Sequence, residues 1–161
     1  MFCYDNGKVC VLAMPRCGHT SMTGYFGFEP YTSEHNRLIV WNKTQSRRVL
    51  VLRNPLDRLK SALLHSDAYE KYPEFTSDQW LSFHGDPYLH RVSHTSFDII
   101  PFENLSDYIP VHRMTRHVNV ANTTYDELKH MPQMEYEYEK YQYYKQNNKV
   151  ITPEEWKELT P

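Results

Sequence analysis

An α/β fold, a parallel sheet flanked by helices, is what this sequence of 161 residues predicts. Three observations carry the prediction. Short, nearly continuous apolar runs recur at Lys8–Met14, Arg48–Leu52 and Ser96–Phe102, as expected of strands buried on both faces. Helix-start signals follow the first two runs. Strands separated by helices favour one α/β sheet, and the length suits a single domain over 1–161.

The elements follow in order. Lys8-Val-Cys-Val-Leu-Ala-Met14 is the first strand, broken by Pro15-Arg-Cys-Gly-His19. Thr20 or Ser21 starts a helix through about Phe26, kept short by Gly24, Gly27 and Pro30. Leu38-Ile-Val-Trp41 is a second strand candidate and Arg48–Leu52 a third, stronger one. Asn54 suits an N-cap and Pro55 the first helical position, so a helix begins there. Leu56, Leu59 and Leu63 recur at helical spacing with Ala62 beside them, while Arg58, Ser61 and His65 share another face.

From Pro73 to Pro87 the chain reads as irregular, with a short helix around Asp78–Phe83. Ser96–Phe102 is the fourth strand, its far end demoted by Pro101, and Glu103–Ile109 turns into a helix. Glu135–Tyr144 is acidic and tyrosine-rich, and its periodicity leaves helix and exposed strand both open. Thr152 as N-cap with Pro153 at N1 starts a last helix.

Composition narrows the function classes. The chain is 40% apolar and 24% charged, and no run approaches 18 apolar residues, so no membrane-spanning helix is expected. The N-terminal stretch lacks the pattern of a signal peptide, and a cytoplasmic location is expected. A net charge of -2 argues against a general nucleic-acid coat. The charge is uneven, however: residues 1–65 carry 9 Lys/Arg against 4 Asp/Glu, and the remainder is acidic. A positive N-terminal half suits a small anionic ligand. Cys3, Cys10 and Cys17 show no pairing pattern and read as free thiols. The nine histidines are scattered, with no metal-ligand spacing, so no structural metal is expected.

Two constellations carry chemistry. The first is strand, Pro15-Arg-Cys-Gly-His-Thr-Ser21, helix. A loop closing onto a helix N-terminus offers unpaired backbone N–H groups and a positive dipole end, and both favour phosphate. Gly18 lets the backbone approach closely, Thr20 and Ser21 add hydroxyls, and Arg16 adds a fixed cation. The G-x-x-x-x-G-K-[ST] loop of nucleoside-triphosphatases is not matched, because its first Gly and its Lys are missing. By itself the loop also fits a plain strand-to-helix turn. The second constellation is Arg53-Asn-Pro-Leu-Asp-Arg58-Leu-Lys-Ser61, which puts an arginine at a strand's end and a hydroxyl on the following helix. That pair can grip a second phosphate.

Together the two resemble the cofactor-binding signature of sulfotransferases that use 3′-phosphoadenosine 5′-phosphosulfate (PAPS). The family's P-[KR]-x-G-[ST]-[ST] loop reads Pro15-Arg16-Cys17-Gly18-His19-Thr20 here, followed by Ser21. Its R-x-P-x-x-R-x-x-S motif is matched by Arg53, Pro55, Arg58 and Ser61. The resemblance covers about residues 8–66. A weaker echo of the carbohydrate branch lies at 90–105, in Phe97–Leu105 with its Phe102-Glu-Asn-Leu105 ending and in His90-Arg-Val-Ser-His94.

The resemblance implies a minimal P-loop-like sulfotransferase fold that moves a sulfuryl group from PAPS to a carbohydrate or small-molecule acceptor, leaving PAP and needing no metal. It implies that Arg16, Cys17, Gly18, His19, Thr20 and Ser21 hold the 5′-phosphosulfate and that Arg53 and Ser61 hold the 3′-phosphate. Neither nucleic acid nor membrane is an expected partner. His19 departs from the usual small hydroxyl residue, and Arg16 stands where many members have Lys. Arg16 is the expected stabiliser of the leaving phosphate. His35, between the two motifs, is the expected general base, with His65, His94 and Glu103 as the other candidates. Two further readings stand beside this one: a catalytically inactive nucleotide-binding or interaction module, and a P-loop nucleotide kinase, which the missing Gly-Lys ending and Arg53…Ser61 disfavour.

Overall fold

A computed structural model of the chain describes residues 1–27, 33–58, 61, 89, 92, 96–111 and 132–161; for 34, 35, 132 and 133 the description stops at the backbone. Four strands form one sheet in the order β1 (Phe2–Asp5), β2 (Val9–Ala13), β3 (Arg47–Leu52) and β4 (Asp98–Pro101). β2, β3 and β4 are parallel neighbours, with Val11 opposite Val49 and Leu50 opposite Ile99. All five residues of β2 and the last four of β3 are buried, which is why these strands read as unbroken apolar runs. The α/β class is borne out, with one correction: the sheet is mixed, because β1 runs antiparallel to β2.

The sequence reading passed over β1. Its signal was the Asp5-Asn6-Gly7-Lys8 turn that joins it to β2. Asn6 Oδ1 accepts the N–H groups of Lys8 and Val9, both at 2.9 Å, and Gly7 takes φ 84°, a left-handed value that glycine adopts freely. A second turn-side lock forms where Asp5 accepts hydroxyl hydrogen bonds from Thr44 and from Ser46, the latter at 2.6 Å.

The second correction concerns Leu38–Trp41, which is helix. α1 spans His19–Phe26 and α2 spans Glu34–Lys43; together they make the crossover between β2 and β3. Because β2 and β3 pair directly, no place remains between them for a strand. Ser33 caps α2, its Oγ accepting Asn36 N–H at 3.2 Å. Of the four apolar residues only Trp41 is fully buried, and Leu38, Ile39 and Val40 are half-buried.

After β3, Asn54 Oδ1 accepts Leu56 N–H at 2.9 Å and residues 55–58 are helical, as the Asn-Pro signal predicts. The expectations at Leu59, Ala62, Leu63, His65, Pro73–Pro87 and His90–His94 lie outside the described residues, apart from Val92. Beyond β4 the expected helix is a 3₁₀ segment, Phe102–Asp107.

The tyrosine-rich stretch resolves as α3, Pro132–Asn147. Met134, Glu137, Tyr141 and Tyr144 are its buried residues, at spacings of three and four, while Tyr136, Tyr138 and Tyr143 are exposed. The chain then crosses the outer edge of β4, where Ile99 N–H bonds Lys149 O at 2.8 Å and Ile151 N–H bonds Ile99 O at 3.1 Å. α4 (Pro153–Leu159) opens with the expected Thr152 cap, completed into a capping box by Glu155. Its Trp156 is fully buried against Phe26, whose ring also stacks on Tyr4 at 4.3 Å. The core is therefore closed from both ends of the chain.

Candidate functional site

The three parallel strands end at the same edge, and each end contributes to one cluster. β2 runs into Met14–Gly18, β3 into Arg53 and β4 into Phe102. Carboxyl ends of parallel strands are where α/β folds bind ligands.

The loop is tightly wound. Cys17 N–H returns to Met14 O at 2.9 Å, and Gly18 stands as N-cap of α1 with φ 83°. Arg16 takes φ 64°, a left-handed conformation that disfavours a side chain and that recurs at functional sites. A Cβ on Gly18 would meet Leu105 Cδ2 at 2.4 Å and the Phe102 ring at 3.5 Å. Close approach of a phosphate is one reason for a glycine at this position. The structure adds a packing reason, because the 3₁₀ segment after β4 occupies the space beside it.

The two motifs meet through their arginines. Arg53 Nη1 donates to Arg16 O at 2.5 Å, and Arg16 Nη2 donates to Ser61 O at 3.0 Å. The Arg53 guanidinium also lies 4.1 Å above the Phe102 ring centroid. Arg16, Arg53 and Ser61 thus form one connected cluster, with Ser61 joined through its main chain. Neither Arg16 Nε nor Arg53 Nε has an acceptor among the described residues, although both atoms are buried. Each guanidinium is held below its ordinary pKa, first by burial and, for Arg16, by the charge of Arg53. Two half-buried cations with buried Nε donors left over are chemically disposed to take an anion.

The other loop residues divide. Thr20 is exposed in the first turn of α1, and Ser21 is buried there. That turn has neither a side-chain cap nor an acidic residue, so α1 supplies no side chain of its own to compensate the positive end of its dipole. Burial lowers the His19 pKa, and the Met1 amino group, Arg16 and Arg37 push the same way. A neutral imidazole is thereby favoured. Cys17 faces the core, its thiol pushed up to about 11 by burial despite Arg58 and Arg53 nearby. Any contact it makes with a ligand falls to its backbone.

His35 lies in the first turn of α2, its side chain outside the described residues. Because 34–43 is a helix leading down to β3, its first turn belongs to the loop edge, where Arg37 is felt by His19. Glu103 is exposed and follows Phe102 at the same edge. His65 and His94 lie outside the described residues.

The sequence reading missed three site residues. Phe102 and Leu105 are the platform under Arg53 and Gly18, and their Phe-Glu-Asn-Leu phrase was their signal. Glu137 of α3 is buried, and its charge reaches Cys17. Nothing in its acidic, tyrosine-rich surroundings distinguished it.

Comparison with known protein families, curated proteins and solved structures found no match to this chain. No described helix is long and apolar enough to cross a membrane, and the described residues hold no group of three or more His, Cys, Asp or Glu arranged for a metal ion.

Proposed function

We propose that the protein is a PAPS-dependent sulfotransferase acting on a hydroxyl or amine of a carbohydrate or small-molecule acceptor. The observation that supports this most is the contact chain from Arg53 to Arg16 O and from Arg16 to Ser61 O. Contacts spanning 37 and 45 residues of chain join the two motifs into one cationic cluster at the ends of adjacent parallel strands. The buried guanidinium donors without acceptors fit an anionic co-substrate.

In the proposed reaction the acceptor oxygen bonds to sulfur while the bond from sulfur to the 5′-phosphate oxygen breaks. Charge moves onto the leaving phosphate, and the acceptor proton passes to the base. Arg16 and the first-turn N–H groups of α1 meet that growing charge. Arg53 and Ser61 take the 3′-phosphate, and His35 receives the proton. Neutral His19 stands in the loop as a hydrogen-bonding group in place of a hydroxyl.

The test is ligand choice. PAP should bind better than 5′-AMP, because charge-assisted bonds to a 3′-phosphate are worth about 1.5–3 kcal/mol each. Arg53→Ala should remove most of that preference, and equal binding of PAP and AMP by the unaltered protein overturns the assignment. The second reading, a nucleotide-binding module without turnover, is favoured by one observation: both arginines donate to backbone carbonyls, as structural ties do. Release of PAP from radiolabelled PAPS with a panel of acceptors separates the two.

A further inference from the structure

Strand register puts an aromatic ring beside Arg53. β3 and β4 pair with Leu52 opposite Pro101, so Arg53 and Phe102 are the next residue of each strand at the same sheet edge. Pro101 keeps an extended backbone, φ -61° and ψ 128°, and the chain turns into the 3₁₀ segment directly after it. The Phe102 ring centroid lies 4.1 Å from Arg53 Cζ. The same ring reaches the loop, where a Cβ on Gly18 would stand 3.5 Å from Phe102 Cε2. One side chain at the end of β4 thus borders both motifs.

A guanidinium has two kinds of surface. Its N–H donors point outward in its plane, and its faces are open to stacking. A carboxylate would hold Arg53 by the plane, occupying donors and cancelling charge. A ring holds it by the face and leaves both the charge and the plane to other partners. In that plane Nη1 donates to Arg16 O at 2.5 Å, and the buried Nε has no acceptor among the described residues. Asp57, the carboxylate whose charge Arg53 feels, is exposed. Phe102 also packs against the core, so loss of its ring has two separable consequences, a looser core and an arginine free to turn.

We propose that Phe102 is a positioning residue of the loop site: its ring fixes the Arg53 guanidinium by one face, beside Gly18, and keeps the in-plane donors for a phosphate. The proposal rests on the sulfotransferase reading for which phosphate this is, the 3′-phosphate of PAPS, though not for the stacking that holds the arginine. Phe102 acts through Arg53 and has no separate part in the transfer.

The experiment titrates PAP, AMP and pyrophosphate into the full chain by calorimetry at constant ionic strength. Phe102→Leu keeps an apolar side chain and loses the ring. It should weaken PAP roughly three- to thirtyfold and leave AMP within about twofold. Phe102→Tyr keeps the ring face and should restore PAP to within about twofold. In the Arg53→Ala background, adding Phe102→Leu should change PAP affinity by no more than about twofold. Phe97 serves as the control for packing alone. It is buried at the opposite end of β4, its ring 5.9 Å from that of Trp41 and 5.0 Å from that of Tyr144. Phe97→Leu should lower the melting temperature and leave the ratio of PAP to AMP affinity unchanged. PAP affinity that survives Phe102→Leu, that falls as far without Arg53, or that falls equally in Phe97→Leu overturns the proposal. Should Phe102→Leu fail to fold, Phe102→Met, also without a ring, takes its place with the same expected losses; a chain that folds with neither is a refutation, because a positioning role leaves the fold standing. Equal binding of PAP and AMP by the unaltered protein sinks the sulfotransferase reading instead. Pyrophosphate then judges Phe102: its affinity must fall threefold or more in Phe102→Leu, and only while Arg53 is present. No binding of pyrophosphate in that case overturns both.

Discussion

Gly18→Ala tests the loop geometry with an internal control. Two effects oppose the methyl group. The residue has φ 83°, where a side chain costs about 1–2 kcal/mol. The new Cβ would also stand 2.4 Å from Leu105 Cδ2, and overpacking of this kind costs roughly 1–3 kcal/mol. The sum, about 2–5 kcal/mol, is a large share of the ~5–15 kcal/mol that stabilises a typical domain. Gly7 isolates the first effect. Its φ is 84°, but a Cβ there meets nothing within 4 Å, so Gly7→Ala should cost only about 1–2 kcal/mol. In urea, with a slope of ~2 kcal/mol per molar, Gly18→Ala should lower the midpoint by about 1–2.5 M and Gly7→Ala by no more than ~1 M. Adding Leu105→Ala removes the collision. That change has its own cost of about 2–5 kcal/mol, yet the double variant should fall short of the summed losses by roughly 1–3 kcal/mol. Equal losses for Gly18→Ala and Gly7→Ala, with full additivity in the double variant, would refute the packing account of this glycine.

Other outcomes follow from single residues. At Arg16, φ 64° suits glycine, so Arg16→Gly should be more stable than Arg16→Ala by ~1 kcal/mol, while both lose transfer; a more stable alanine variant contradicts the strained backbone. Glu155 is held down to about 2 by its bond from Lys149, the Thr152 N–H and Arg47. Its folded pKa lies below the ordinary 4.5, so its contribution is complete above that pH and fades as pH falls toward 2. Glu155→Gln should flatten the decline of the urea midpoint between pH 5 and 2, and parallel profiles would dismiss the group. All three cysteines are buried, with Cys3 and Cys10 sulfurs 4.0 Å apart, so a thiol reagent at pH 8 should react slowly with the native chain and find three thiols after unfolding. On the proposed sulfotransferase reading, His35→Ala should leave PAP binding near normal and slow single-turnover transfer roughly 10²–10⁴-fold; unimpaired transfer moves the base to Glu103 or His94.

Full burial is what made the parallel strands readable. A strand covered on both faces has no polar alternation to maintain, so β2 and β3 appear as plain apolar runs, and tertiary context had nothing to override. Leu38–Trp41 shows the limit of that signal. Four apolar residues suit a buried strand and one turn of a helix equally, and the deciding facts lay outside the run: the Ser33 cap and the direct pairing of β2 with β3. α3 stayed undecided for the opposite reason. Its buried stripe includes a glutamate and two tyrosines, while three more tyrosines face solvent, so hydropathy carries almost no period. The site divides along the same physical line. Arg16, Gly18, Arg53 and Ser61 were nameable because local rules tie each to a strand end or a helix start. Their contacts were not, because Arg53 and Arg16 bond main-chain oxygens, which every residue offers. Glu137 stayed hidden on both counts. It belongs to a helix without readable period, and its bond to Leu89 N–H joins residues 48 positions apart in the chain. Local chemistry thus identifies the groups that can touch a ligand, whereas the contacts that join them emerge only when the chain closes on itself.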